Sequence, residues 1–291
     1  MDTVHGVTAV RDRVAAAKAR GLRVGFVPTM GALHEGHLSL VRRAREESGF
    51  VVVSIFVNPL QFAPGEDFAR YPRRLEEDAS LLAQAGADLL YAPEPRTFYP
   101  PDFSTSVEVA GVTEGGEGAA RPGHFRGVAT VVARLFLQIA PDAAYFGRKD
   151  LQQTAVIRRM ARDLDFPVAI SVLPTVREPD GLAMSSRNAY LSPAERLVAA
   201  ALPRALFAAR ERAAAGATDA RALEEETRRE LEKAGLAVDY VEAVDSETMA
   251  RAARIGPGVA LAAAVRVGTT RLIDNVPLDS AAGSRSDRIG R

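Results

Sequence analysis

The chain has 291 residues, 47% hydrophobic and 25% charged, with 37 basic and 37 acidic side chains cancelling, which is ordinary globular composition with room for two modest domains. The balance argues against nucleic-acid binding, which normally shows a basic excess because counterion release drives it, so phosphate chemistry here belongs to a small nucleotide in a pocket. The absence of cysteine excludes disulfides, thiolate metal sites and thioester intermediates together.

The first residues, MDTVHGVTAVRDR, lack an apolar core and do not read as a signal peptide. Arg23 to Pro28 (RVGFVP) reads as a buried strand, followed by a glycine-containing turn and a helix from Gly36 to Glu47. His34-Glu35-Gly36-His37 opens that helix, so the two histidines share a face. They lie beside unpaired backbone N–H groups and the positive end of the helix dipole, a natural anion site. Gly36 leaves room for a nucleotide to approach the backbone. One histidine at a helix start is more often a cap or core filler. Here two of the four histidines in the chain, at 5, 34, 37 and 124, occupy one motif, which favours a site. With no further His or Cys close in sequence, zinc is the weaker reading.

Phe50 to Val57 is a second strand, far too short to span a bilayer, so no membrane partner and a cytoplasmic protein are expected. Asn58 and Gln61 follow it directly, where a parallel sheet presents ligand groups; a polar turn after Pro59 is the plainer alternative. Leu75 to Ala85 reads as a helix whose first turn carries Glu76, Glu77 and Asp78, either dipole partners or Mg²⁺ ligands. Asp88 to Ala92 follows as a strand. Val128, Val131, Val132, Leu135, Phe136 and Ile139 recur at helical spacing.

Ala143 to Phe146 is a short strand, and Leu151 to Leu164 a helix. Lys149 follows Gly147 at the turn between them. It is one of three lysines, with Lys18 and Lys233, in an arginine-rich chain, which favours a phosphate contact over a solvated surface position. Asp150 and Gln153 have the spacing of a helix capping box. Yet Gln153 falls on the core-facing side, where a polar group needs a partner, and a substrate would serve. Val168 to Leu173 is the next strand. This alternation predicts an α/β fold, a Rossmann-like doubly wound parallel sheet with ligands beyond the carboxyl ends of its strands.

After Pro174 the texture changes. Met184-Ser185-Ser186-Arg187-Asn188 follows a turn-rich Pro179-Asp180-Gly181, and two hydroxyls with a guanidinium suit a movable clamp on phosphate oxygens. Residues 193–215 and 219–234 read as long helices, followed by strands at Val238–Val244, Val259–Val267 and Thr270–Val276. The expected division is a catalytic domain over 1–176, a smaller α+β C-terminal lid domain over 177–279, and a disordered tail over 280–291. No internal repeat is present.

His34-Glu35-Gly36-His37 is similar to the HxGH signature of the nucleotidyltransferase and class I tRNA-synthetase superfamily. The longer Pro28-Thr29-Met30-Gly31-Ala32-Leu33-His34-Glu35-Gly36-His37 resembles the pantothenate synthetase family in particular. Phe56-Val57-Asn58-Pro59-Leu60-Gln61-Phe62, Arg121 to Val128, Phe146 to Gln153 and Met184 to Asn188 agree with that family in order and approximate spacing, so the resemblance runs from about 22 to 278.

The resemblance implies an ATP-dependent ligase that condenses (R)-pantoate with β-alanine through a pantoyl adenylate, releasing pyrophosphate and AMP. It implies an ATP site at Met30, Gly31, Ala32, Leu33, His34, Glu35, Gly36 and His37, at Gly147, Arg148, Lys149 and Asp150, at Val176, and at Met184, Ser185, Ser186 and Arg187. Asn58, Gln61 and Gln153 would hold pantoate and β-alanine. His34, His37 and Lys149 would be catalytic, with His37 the candidate general acid and Asp78 the candidate Mg²⁺ ligand. Glu117, Arg121 and His124 would shape the site without touching substrate. A homodimer is also implied. Glu77 stands where the family tends to have aspartate, and Arg148 where glutamate is common. Two other readings remain: an adenylyltransferase moving AMP onto a phosphorylated acceptor, and a nucleotide-binding module without turnover.

Overall fold

The computed structural model describes residues 1–278, so the tail expected over 280–291 lies outside the described residues. In chain order the first part contains β1 (Asp2–Val4), α1 (Val7–Ala19), β2 (Val24–Thr29), α2 (Glu35–Glu47), β3 (Phe50–Ile55), α3 (Leu75–Gln84) and β4 (Leu89–Tyr91). It continues through α4 (Pro95–Phe98), α5 (Gly116–Ala120), α6 (His124–Ile139), β5 (Ala143–Gly147), α7 (Leu151–Asp163) and β6 (Ala169–Leu173). The six strands form one parallel sheet in the order β1-β4-β3-β2-β5-β6.

The apolar runs of β2 and β3 are buried on both faces, as parallel strands covered by helices must be. Val24, Phe26 and Val52 face the core shared with α6 and α7, while Val27, Val51 and Val53 face the core shared with α2. Helix α2 offers a narrow buried stripe, Leu40, Val41 and Ala44, and leaves its charged side to solvent. Helix α6 is buried nearly all round. Four named elements escaped the sequence reading: β1, α1 and the short helices α4 and α5. Edge strand β1 has only three residues, and α1 buries just Val10, Val14 and Ala17, a stripe of small side chains that gives a faint period.

The C-terminal domain contains α8 (Pro193–Ala199), α9 (Ala201–Ala214), α10 (Ala220–Lys233), β7 (Ala237–Asp245), β8 (Val259–Val267) and β9 (Thr270–Pro277). The strands form an antiparallel sheet in sequence order, with α9 and α10 over one face. The single helix expected over 193–215 is two. Pro203 has no N–H to donate to the Ala199 carbonyl and its ring crowds that oxygen, so the helix breaks at Ala200. Ser192 and Glu195 form a capping box that starts α8. No helix among the described residues is long and apolar enough to cross a membrane.

Candidate active site

Strands β2 and β5 are neighbours, and the sheet grows away from them in opposite directions, through β3 and β4 on one side and β6 on the other. The crevice beyond their carboxyl ends is where such a sheet takes ligands. His34 and His37 follow β2, Asn58 and Gln61 follow β3, and Lys149, Asp150 and Gln153 follow β5. All line one cleft of about 220 Å³, together with Met30, Gly36, Gly147, Val176, Met184, Ser185, Ser186 and Arg187. A second cavity of about 380 Å³ shares Lys149, Asp150, Gln153, Ser185 and Arg187 with it and extends to the C-terminal sheet.

Five residues expected at the ATP site do not line the cleft. Gly31, Ala32 and Leu33 form the turn after β2, with Gly31 and Ala32 at φ of 83° and 51°. The Asp78 carboxylate braces that turn: Oδ2 accepts from the Ala32 N–H and Oδ1 from the Leu33 N–H, each at 2.9 Å. Asp78 is 3% exposed, and burial raises its pKa. The side chain named for Mg²⁺ thus has both oxygens engaged within the fold. Glu35 pairs with Arg42 on the outer side of α2. Arg148 lies outside both cavities, with its carbonyl accepting from Asn275 Nδ2 at 2.9 Å.

His34 is the N-cap of α2, and its backbone N–H donates to His37 Nδ1 at 3.4 Å. An Nδ1 that accepts carries no proton, so His37 is the neutral tautomer with its hydrogen on Nε2. The rings lie 4.1 Å apart. Burial, then the neighbouring His34, lowers the His37 pKa to about 3; burial, then Lys149, lowers that of His34 to about 4. The glycine between them admits the His34 ring, whose atoms lie 2.9 Å from where a Gly36 Cβ would stand. Gly36 was expected to make room for a nucleotide; within the chain it makes room for His34.

The two glutamines after β5 divide. Gln152 is buried and structural: its Oε1 accepts from the Glu117 N–H, and its Nε2 donates to the carbonyls of Val112 and Gly115, each at 2.9 Å. Gln153 is half-buried and lines the cleft. The capping box does not form, since Asp150 is the N-cap of α7 by position but makes no side-chain cap hydrogen bond. Its carboxylate lies 3.6 Å from Lys149 Nζ.

The C-terminal domain reaches this site at several points. Asn275 of β9 donates from Nδ2 to the carbonyls of Arg148 and Lys149, at 2.9 and 3.0 Å, and so fixes the turn that carries Lys149. Glu117, 7% exposed, accepts from both Nη atoms of Arg271 and from the Tyr240 hydroxyl. The expected phosphate clamp is held by the first domain: Arg187 donates to both oxygens of Asp67, at 2.9 and 2.8 Å, and the Ser186 hydroxyl meets Tyr71 at 3.4 Å. Asp67, Tyr71 and Asn275 had no signal in the sequence. Each acts on a residue more than a hundred positions away, and no local spacing records that.

His124 Nδ1 donates to the Gln61 carbonyl at 2.8 Å, and its Nε2 accepts from Arg121 at 3.1 Å. Burial, then Arg121, lowers its pKa to about 4. His34, His37 and His124 therefore bind protons more weakly folded than unfolded. Their contribution to stability is complete above about pH 6.5 and is lost as pH falls, toward 4 for His34 and His124 and toward 3 for His37. Each contributes a slope of at most about 1.4 kcal/mol per pH unit, so a loss of about 2 kcal/mol or more is expected between pH 7 and 5. Burial raises the carboxyls of Asp78, Glu224 and Asp274, which act with the opposite sign. The diagnostic is therefore His124→Gln, whose urea-unfolding free energy should vary less steeply over that range than the parent's. Parallel curves would contradict a neutral, buried His124.

The pantoate-beta-alanine ligase family model matches residues 2–277. A pantothenate synthetase of Moorella thermoacetica is 53% identical over 284 residues, covering 96% of this chain and 99% of that protein. The crystal structure of pantothenate synthetase from Thermus thermophilus superposes with a TM-score of 0.91 at 51% identity, covering 96% of this chain and all of that one. A Francisella tularensis pantoate-beta-alanine ligase complexed with beta-gamma ATP and beta-alanine gives a TM-score of 0.80 at 31% identity, over 96% and 98% of the two chains.

Proposed function

Because the chain belongs to the pantoate-beta-alanine ligase family and is an ATP-dependent ligase of pantoate and β-alanine, we propose that the cleft beyond β2, β3 and β5 carries both half-reactions. The single observation behind this is the convergence of His34, His37, Gln61, Lys149 and Gln153 from three separate strand ends on one cleft. Gln61 and Gln153 hold pantoate beside the α-phosphate of ATP. The pantoate carboxylate attacks phosphorus, pyrophosphate leaves, and the amine of β-alanine then displaces AMP from the acyl phosphate.

His37 acts as a hydrogen-bond donor from Nε2 to a phosphate oxygen, because its Nδ1 accepts from the His34 N–H and so leaves the ring hydrogen on Nε2. Lys149 counters the charge that builds on the phosphates. Ser185, Ser186 and Arg187 close on the β- and γ-phosphates once Arg187 leaves Asp67. Asp78 braces the turn after β2. Among the described residues no group of three His, Asp or Glu side chains is placed to hold a metal. Asp150, the half-exposed carboxylate beside Lys149, would hold a Mg²⁺ carried chiefly by the phosphates of ATP. When bound, Mg²⁺ would neutralise phosphate charge. The domain division at 176/177, a homodimer and a cytoplasmic location complete the reading.

The test is ATP–pyrophosphate exchange with Mg²⁺ and no β-alanine. Exchange is expected only with pantoate present. Exchange that requires a phosphorylated acceptor in place of pantoate would support AMP transfer to that acceptor instead, and exchange with neither present would remove pantoate from the first half-reaction.

A further inference from the structure

Gln61 is held with its amide in one orientation, and the hold begins outside the cleft. Asn58 is 1% exposed and its side chain makes four hydrogen bonds. The Leu60 N–H can only donate, so the Asn58 atom 3.3 Å from it is Oδ1. The Gly127 carbonyl can only accept, so the atom 3.0 Å from it is Nδ2. Two main-chain groups thus show which end of the Asn58 amide is which. Gly127 permits the approach, because a Cβ there would stand 2.2 Å from the Leu60 carbonyl oxygen.

The consequence runs in both directions. The Tyr99 hydroxyl lies 3.1 Å from Oδ1, an atom that only accepts, so Tyr99 donates. The second hydrogen on Nδ2 points at Gln61 at 3.1 Å, so the facing atom of Gln61 is Oε1. Gln61 Nε2 is then left toward the cleft, where it meets Met30 Sδ at 2.9 Å. A thioether is a weak acceptor, and a substrate oxygen would displace it readily. The main chain of Gln61 is fixed as well, its carbonyl accepting from both His124 and Arg121.

Tyr99 is itself anchored. Its ring packs 5.8 Å from Phe56, and the Arg134 guanidinium lies over Phe98, Tyr99 and Phe103 at 5.0, 5.6 and 4.7 Å. Burial raises its pKa, so the hydroxyl keeps its proton.

We propose that Tyr99 is a positioning residue for the acid substrate: together with the Leu60 N–H and the Gly127 carbonyl it holds the Asn58 amide in place, and Asn58 in turn keeps Gln61 as a hydrogen-bond donor, so that the cleft selects an oxygen acceptor on pantoate at that point. This rests on the reading that Gln61 holds pantoate. A glutamine free to turn would serve donors and acceptors alike; this one offers N–H alone.

The experiment compares Tyr99→Phe, Gln61→Ala and the double variant in steady-state assays, with KM measured separately for pantoate and ATP. Tyr99→Phe keeps the ring and its packing. It should raise the pantoate KM at least ~5-fold, the scale of one hydrogen bond, with the ATP KM and kcat within about twofold. In the Gln61→Ala background the same change should add nothing, because the relay then has no end. A pantoate KM unmoved by Tyr99→Phe but raised by Gln61→Ala overturns the relay alone. Equal shifts in both KM values, or independent effects in the double variant, reduce Tyr99 to a structural role and overturn it too. A pantoate KM unmoved by Gln61→Ala overturns the reading on which the proposal stands.

Discussion

Replacing Lys149 with alanine is expected to slow pantoate-dependent ATP–pyrophosphate exchange at least ~100-fold, the scale of losing one transition-state charge contact. As the carboxylate attacks, negative charge grows on the phosphate oxygens, and a fixed cation in a partly enclosed cleft meets it without reorganising. The Lys149 side chain is 20% exposed, and its main chain is pinned by Asn275. Arg187, the next cation along the cleft, has two nitrogens committed to Asp67 and cannot substitute without moving. Thermal unfolding should change little, since Lys149 makes only a loose pair with Asp150. A folded Lys149→Ala enzyme with near-normal exchange would remove Lys149 from the chemistry. His37→Ala should fall as far, but His37→Gln should retain more activity, because glutamine keeps a neutral N–H near the place of Nε2. A glutamine variant as inactive as the alanine one would restore His37 as general acid.

Asp274→Ala is expected to destabilise the protein by about 3 kcal/mol, because it leaves the mostly buried Arg177 guanidinium without its counter-charge. The Asp274 side chain is fully buried and accepts from both Nη atoms of Arg177, at 2.6 and 2.9 Å. Arg177 lies where the chain enters the C-terminal domain, and it also donates to the Gly181 carbonyl and covers the Phe207 ring at 4.7 Å. Urea unfolding would read the loss as a lower midpoint at unchanged slope. Replacing both partners with apolar residues of similar volume should recover much of it, since the cost comes from the unpaired charge more than from the lost attraction. A single variant within about 1 kcal/mol of the parent would contradict the burial of this pair. Asp274 also accepts from the Asn275 N–H at 2.8 Å, so the same variant should loosen the Lys149 turn and lower kcat.

Much of the fold was legible because its signals are local. A buried parallel strand is a short apolar run, and α6 and α7 carry the helical period over three turns or more. The position of the site was legible for the same reason: HEGH, the Asn58–Gln61 turn and the Gly147–Gln153 turn all follow strands, and a doubly wound sheet gathers such turns at one edge. Where the reading failed, the local signal was faint or divided. Helix α1 buries small residues only, and Pro203 breaks a helix whose composition runs on unchanged.

The sequence by itself determined the parallel α/β class, the separate C-terminal domain and the strand-end turns that carry the chemistry, because each is written in contiguous residues. Tertiary structure alone decided how those residues are used. It engaged Asp78 with a backbone turn, made Gln152 structural while Gln153 faces the cleft, paired Arg187 with Asp67, and left His34 and His37 uncharged through burial. It also set Tyr99 behind Asn58 and Asn275 behind Lys149. The physical reason is that protonation state, amide orientation and hydrogen-bond commitment depend on which groups meet across the fold. Those partners lie as far as 126 residues away in the chain.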